Sequence, residues 1–253
     1  MEINNAIALV TGASGGIGSH FVEQLLHSGA AKVYVCARSL NRLDELVDLN
    51  PDRVIPVELD VTDPDSVIAA ANQCSDVNLL INNAGIALNQ GVIAADDLKS
   101  ARAEIEVNYF GMMSMCRAFA PILKQQGGGT IANLVSLVGK VNLPFSGSYS
   151  ASKAAALSMT QCVRAELASQ GTLVVAVMPG TVDTSMASEW PEPKVAPAEV
   201  AKATLQGIID GQEDVYPGEQ AAQVSEQLLS NPKGVEKYMA GFLPGMALAG
   251  ATA

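Results

Sequence analysis

Charge and aromatic rings are both scarce in this sequence. Of its 253 residues only 16% are charged and 4% aromatic, against 49% hydrophobic. That balance excludes a disordered or collagen-like chain and implies a sizeable globular core. Basic residues are the scarcer sign, with 15 Lys and Arg against 26 Asp and Glu and a net charge of −11. With no Lys/Arg block to offset that charge, the chain would repel a phosphate backbone, so no nucleic-acid partner is expected. The four cysteines, Cys36, Cys74, Cys116 and Cys162, are isolated, and the two histidines, His20 and His27, stand apart from any cluster. No zinc site, other metal site or disulfide framework follows from such spacing, and the thiols are expected to be free and buried. No uncharged apolar run approaches the ~20 residues that span a bilayer. Residues 1–5 carry no basic stretch ahead of an apolar core. The expectation is therefore no signal peptide, no membrane partner and a cytoplasmic location.

What is present is regular. Short apolar runs at 6–10, 32–37, 54–59, 77–81, 130–135 and 172–178 alternate with longer stretches of helical spacing at 17–27, 40–48, 64–73, 97–125, 148–169 and 197–210. Runs apolar on both faces suit strands covered on each side, which predicts a parallel sheet between two layers of helices. The fold class is thus α/β, a doubly wound, Rossmann-like parallel sheet in three layers. Punctuation agrees: Asp63-Pro64 reads as a helix cap followed by proline at the first helical position, and Gly29, Gly127 and Gly171 stand where helices should stop. No repeat or linker divides the chain, so 1–253 is expected to be one domain. Within it, 181–197, with three prolines and the only Trp, reads as a loop, and 238–253 as an apolar tail.

Between the first strand and the first helix lies Thr11-Gly12-Ala13-Ser14-Gly15-Gly16-Ile17-Gly18. Glycines there let the backbone turn sharply toward a pyrophosphate, and the helix N-terminus favours negative charge, although such a turn can also be only a tight turn. The second strand ends in Cys36-Ala37-Arg38-Ser39 rather than in an acidic residue. An acid there would accept from the ribose hydroxyls of NAD; a guanidinium suits a 2′-phosphate instead, so NADP(H) is preferred over NAD(H). Ser14 adds a hydroxyl, and the plain alternative for Arg38 is a solvated arginine at a strand end.

Tyr149 and Lys153 sit four residues apart in a predicted helix, on one face. A cation at roughly 6 Å and an effective dielectric near 20 is worth about 2.8 kcal/mol, which would take about two units off a tyrosine pKa near 10. Alone, such a pair arises often by chance.

Together these segments make the chain resemble the short-chain dehydrogenase/reductase family in its ordinary form, from Ala6 to about Gly218. Thr11, Gly12, Gly16 and Gly18 match its glycine motif, and Asn82-Asn83-Ala84-Gly85 the motif after its fourth strand. Asn108, Ser136, Tyr149 and Lys153 match its catalytic set, and Pro179-Gly180 with Val182 and Thr184 its carboxamide-binding segment. The resemblance implies that Ser136 holds the substrate oxygen and Tyr149 exchanges its proton. Lys153 would bind the nicotinamide ribose, and Asn108 a water leading to solvent. Asp60 with Val61 would meet the adenine, Asn82 would stabilise the sheet, and Asn83, Ala84 and Gly85 would scaffold the cofactor. Val135 stands where many members have a second serine. Val138, Leu143, Met186 and Trp190 are candidate substrate residues, with Pro191 beside them in a small apolar lid.

The expected activity is NADPH-dependent reduction of a small, hydrophobic ketone or aldehyde, or the reverse oxidation of an alcohol. A 3-oxoacyl thioester reductase is the near alternative, though this acidic chain offers no basic patch for a carrier. A catalytically silent, NADP-binding sensor is the alternative of another class. The resemblance also implies a homodimer or homotetramer built on 97–125 and 148–169.

Overall fold

A computed structural model describes residues 1–188, 190 and 193–245. Pro191 and the tail residues 246–253 lie outside the described residues. Seven strands form one sheet: β1 (Ile7–Thr11), β2 (Lys32–Ala37), β3 (Val54–Glu58), β4 (Leu79–Asn82), β5 (Thr130–Leu134), β6 (Leu173–Val177) and β7 (Asp214–Val215). Their order is β3-β2-β1-β4-β5-β6-β7, and every pairing is parallel. The chain moves outward from β1 to β3, then returns to the other side of β1 to lay down β4. The resulting switch point opens a crevice at the carboxyl ends of β1 and β4, where sheets of this kind bind ligands.

Helices cover both faces, which is why strands such as β4 and β5 are buried at every position. On one face α1 (Ile17–His27), α2 (Asp44–Leu49) and α7 (Pro197–Ile209) pack Phe21, Val22, Leu25, Leu46, Leu205 and Ile208 against β1 and β2. On the other, α3 (Pro64–Gln73) and α5 (Met112–Gln125) contribute Val67, Met115, Phe119 and Leu123 to a second core, α6 (Gly147–Leu167) packs Val163 and Leu167 against it, and α4 (Lys99–Ile105) packs on α6. At the start of α3, the Asp63 side chain accepts from the Asp65 amide and Pro64 takes the first position, as the sequence predicts.

Three elements depart from the sequence reading. The predicted helix 97–125 starts at Lys99, because the Asp97 carboxylate takes the Lys99 amide as a cap (2.8 Å), and it is interrupted by a π-helical turn over Glu106–Gly111. The predicted helix 40–48 divides into a 3-10 turn at Leu40–Arg42 and α2. The segment after α7 adds β7, α8 (Glu219–Ser230) and α9 (Pro232–Met239), which the apolar pattern does not announce: α8 buries only Ala221 and α9 only Val235. Cys36, Cys74 and Cys116 are buried free thiols, whereas Cys162 is exposed on α6. Among the described residues no helix is long and apolar enough to cross a membrane.

Candidate active site

The turn after β1 is shaped by backbone crowding. Gly12 has a positive φ of 61°, and a Cβ on it would lie 3.0 Å from the Ala84 backbone. A Cβ on Gly18 would run into the Gly12 carbonyl and Ala13. These two glycines therefore let β1, the start of α1 and the segment after β4 meet at van der Waals distance. Hydrogen bonds hold them there. The Thr11 hydroxyl accepts from the amides of Asn83 and Ala84 (both 2.9 Å), and the Asn83 side chain donates back to the Thr11 and Gly12 carbonyls. No side chain caps α1 at Gly16; the Gly18 amide bonds the Gly15 carbonyl, and the positive end of the helix is left to favour an anionic ligand. Ser14 and Ile17 are half-buried on this turn. The Thr184 methyl packs over Gly16, so the segment after β6 closes the far side.

Arg38 is exposed just beyond β2. Hydrogen bonds from the Thr62 hydroxyl and amide to Asp60 hold its carboxyl below the usual range, with the Arg38 charge assisting. Arg38, Asp60 and Val61 thus line up at the ends of β2 and β3. The crevice offers an uncapped helix end, a glycine cradle and an exposed guanidinium in a row, which fits an extended phosphate-bearing dinucleotide.

The second half of the site lies at the end of β5. Lys153, 4% exposed, donates to the Leu134 carbonyl (2.8 Å), and its ammonium lies 5.8 Å from the centre of the Tyr149 ring. Ser136 caps the 3-10 turn Leu137–Gly139, accepting from the Val138 amide (3.3 Å), and its hydroxyl acts on the Tyr149 phenol by lowering its pKa. Asn108 is fully buried in the π-helical turn. Its side chain accepts from the Ile86 amide (2.9 Å) and donates to the Ile86 carbonyl and the Ser152 hydroxyl. Both amide hydrogens are thereby used, which leaves Oδ1 as the atom able to accept from a water. Gly85 fills the gap between, since a Cβ there would lie 3.1 Å from Asn108 Oδ1 and 3.4 Å from Lys153 Nζ.

The electrostatics correct the expectation of a lowered tyrosine. Burial pushes Tyr149 up to about 12; the Ser136 hydrogen bond pulls it down and the Glu104 charge pushes it further up. Burial also pulls Lys153 down to about 8. The surroundings keep water from Lys153 and from much of the half-buried Tyr149, and that loss outweighs their mutual attraction. At neutral pH the phenol is held as an acid.

A sequence model of the short chain dehydrogenases matches residues 6–194. This chain belongs to the short-chain dehydrogenase/reductase family. The enzyme is 30% identical to mouse "Dehydrogenase/reductase SDR family member 7B" over 97% of its own length and 76% of that protein's. Among solved structures, a Burkholderia cenocepacia short chain dehydrogenase in complex with NADP superposes with a TM-score of 0.90 at 44% identity, covering 94% of this chain and 99% of the other. A short-chain dehydrogenase/reductase of Burkholderia phymatum in complex with NAD, 23% identical, matches in fold with a TM-score of 0.82 over 93% and 96% of the two chains. The dehydrogenase is an oxidoreductase of CH–OH/C=O groups that binds a nicotinamide dinucleotide.

The remaining candidate residues lie on three segments distant in sequence. Val138 and Leu143 lie between β5 and α6, Val138 half-buried and Leu143 buried. Trp190 packs edge-on against Phe145, with ring centres 4.8 Å apart, and the Phe145 amide donates to the Phe242 carbonyl. Met186 stands 44% exposed beside this cluster in sequence. Val182 pairs with Val195 in a short parallel bridge, and Pro179 accepts from the Leu137 amide, so Pro179, Gly180, Val182 and Thr184 run past the end of β5. Phe145 and Phe242 were not singled out by sequence reasoning. Phe145 lies one turn before Tyr149 and was legible as such; nothing local marks Phe242. His20 and His27 bond Glu23 on α1, away from the crevice, and among the described residues no cluster of His, Cys, Asp and Glu is arranged to hold a metal.

Proposed function

We infer that this enzyme is an NADPH-dependent carbonyl reductase acting on a small, hydrophobic ketone or aldehyde, and on the corresponding alcohol in reverse. The observation that carries the reading is the gathering of Tyr149 and Lys153, with 5.8 Å from ammonium to ring centre, beside Gly85, Asn108 and the Ser136 turn at the mouth of the glycine cradle. When bound, the nicotinamide supplies or takes the hydride. Ser136 donates a hydrogen bond that polarises the substrate carbonyl, and Tyr149 hands its phenolic proton to the oxygen as negative charge builds there. Lys153 holds the ribose, and its ammonium steadies the phenolate left behind. Asn108 keeps Ile86 and Ser152 in place and offers Oδ1 to a water on the way to solvent.

The cofactor is assigned to Gly12, Ser14, Gly16, Ile17 and Gly18 at the pyrophosphate and to Asp60 and Val61 at the adenine. Asn83, Ala84 and Gly85 form the floor, and Pro179, Gly180, Val182 and Thr184 meet the carboxamide. Arg38 carries the preference for NADP(H), supported by its exposed guanidinium and by the NADP held in the Burkholderia cenocepacia relative. Val138, Leu143, Met186 and Trp190 form the substrate wall, and its apolar character favours an uncharged substrate. We assign a single cytoplasmic domain working as a homodimer or homotetramer through α4, α5 and α6, where Phe110 is 46% exposed. A panel of ketones, aldehydes and alcohols, assayed by the absorbance of NADPH, tests the activity. Absence of hydride transfer with every class overturns it.

A further inference from the structure

Glu104 is fully buried on α4, and the steps above give it no part. Its Oε1 accepts from the Leu88 amide (2.7 Å), while its Oε2 has no hydrogen-bond partner among the described residues. It enters no ion pair there either. A carboxyl in such a place opposes folding, and residues that break a local packing rule tend to be kept for function.

Its placement is systematic. The segment after β4 runs along the groove between α4 and α6 and is tied at alternate residues. Asn108 holds Ile86 through both amide and carbonyl, Glu104 takes the Leu88 amide, and Gln90 accepts from the amide and hydroxyl of Ser148. Two extended residues advance about 6.6 Å and one helical turn about 5.4 Å, so successive turns of the helices meet successive ties. Because α4 and α6 each follow a strand of a parallel sheet on the same face, they run in the same direction. The Asn108–Ser152 hydrogen bond sets their register. Glu104 stands four residues before Asn108, and Ser148 four before Ser152, so this register sets Glu104 on the stretch of α4 that faces the start of α6, where Tyr149 stands. The phenol registers that charge, which adds to the effect of burial and opposes the Ser136 hydrogen bond. The charged groups facing Tyr149 are Glu104 from α4 and Lys153 from α6. Arg102 and Glu106, two residues to either side of Glu104, are exposed, and Lys140, after β5, donates to the Tyr216 hydroxyl.

We propose that Glu104 is a positioning residue for Tyr149: one oxygen ties down the segment after β4 at Leu88, and the unpaired oxygen holds the proton on the phenol until a substrate oxygen takes it. The enzyme then meets a carbonyl with its acid loaded at neutral pH, and the phenolate that begins alcohol oxidation forms only in more alkaline solution. This inference rests on Tyr149 being the proton donor, and its test needs no turnover.

A fluorinated tyrosine placed at position 149 reports its own ionisation by fluorine NMR, in the native chain and in Glu104→Gln, which keeps the size and the acceptor oxygen but not the charge. The midpoint is expected to fall by about half a pH unit or more in Glu104→Gln, with NADPH affinity within about twofold of the native value. An unmoved or raised midpoint overturns the proton-holding role. Amide hydrogen exchange tests the tie: the Leu88 amide exchanges faster in Glu104→Leu but not in Glu104→Gln, and unchanged exchange in Glu104→Leu overturns it. If Glu104→Leu does not fold, Glu104→Asp, too short to reach, serves in its place. A shifted midpoint in an enzyme that reduces no carbonyl would remove the proposed activity and leave this inference standing. Carbonyl reduction with an unmoved midpoint would do the opposite.

Discussion

The proposed cofactor half and the proposed substrate half of this crevice are built differently. Around Thr11, Gly12, Gly18 and Asn83, short sequence motifs are knitted together by backbone contacts, and each hydrogen bond fixes another backbone position. The substrate half draws on Leu143, Phe145, Trp190 and Phe242, from segments nearly a hundred residues apart, joined where Phe145 meets the Trp190 ring and bonds the Phe242 carbonyl. Backbone geometry tolerates little change, whereas apolar walls can be resurfaced while the fold persists. On the proposed assignment, the comparison puts the chemistry on the rigid side and substrate choice on the adaptable side.

Four substitutions would break or sharpen that contrast. The largest effect is expected for Tyr149→Phe at the boundary of the two halves. Turnover should fall by about 10²–10⁴-fold, the usual worth of a general acid, while NADPH binding measured by fluorescence stays unchanged; retained turnover removes the tyrosine from its role. Next comes the cofactor half: Arg38→Asp should move the NADP/NAD ratio of kcat/KM toward NAD by about 10–100-fold, the worth of 1.4–2.8 kcal/mol in a charged contact. A ratio that does not move would free Arg38 from the 2′-phosphate.

A smaller effect is carried by Lys153 and shows in stability without cofactor. Its folded-state value, about 8, lies below its ordinary 10.5, so between those limits the unfolded chain binds more protons and stability rises with pH. Tyr149, with its folded value of about 12 above its ordinary 10, works the other way only above pH 10. Urea unfolding should therefore show the native enzyme gaining on the order of 2 kcal/mol relative to Lys153→Met between pH 8 and 10. Parallel curves would mean that the ammonium is not desolvated. The smallest change is expected in the substrate half. Trp190→Ala, which removes the edge contact with Phe145, should raise KM for an apolar ketone about three- to tenfold, the equivalent of 0.7–1.4 kcal/mol for an aromatic pair, and leave the affinity for NADPH alone. Loss of NADPH binding would show that the halves are not separable.

Legibility in the sequence follows the same division. Strand β2 and helices α1 and α3 match their predicted limits because apolar periodicity and the Asp63-Pro64 cap are local signals. Tyr149 and Lys153 were legible because four residues on a helix make one turn. The sign of the tyrosine shift was not, since it depends on how much water the packed protein excludes, and a two-charge estimate leaves that out. The π-helical turn at Glu106–Gly111, the exposed Cys162 and the pairing of Phe145 with Trp190 depend on neighbours remote in the chain. The short strand β7 and helices α8 and α9 bury too few side chains to leave a periodic trace.

By itself the sequence determined the alternation of strands and helices, the glycine turn and the spacing of Tyr149 and Lys153, because each depends on residues a few positions apart. Tertiary structure alone decided which polar groups lose their water. Glu104 looks like any helical glutamate until α4, α6 and the segment after β4 close around it, and burial, unlike periodicity, is a property of everything that surrounds a residue.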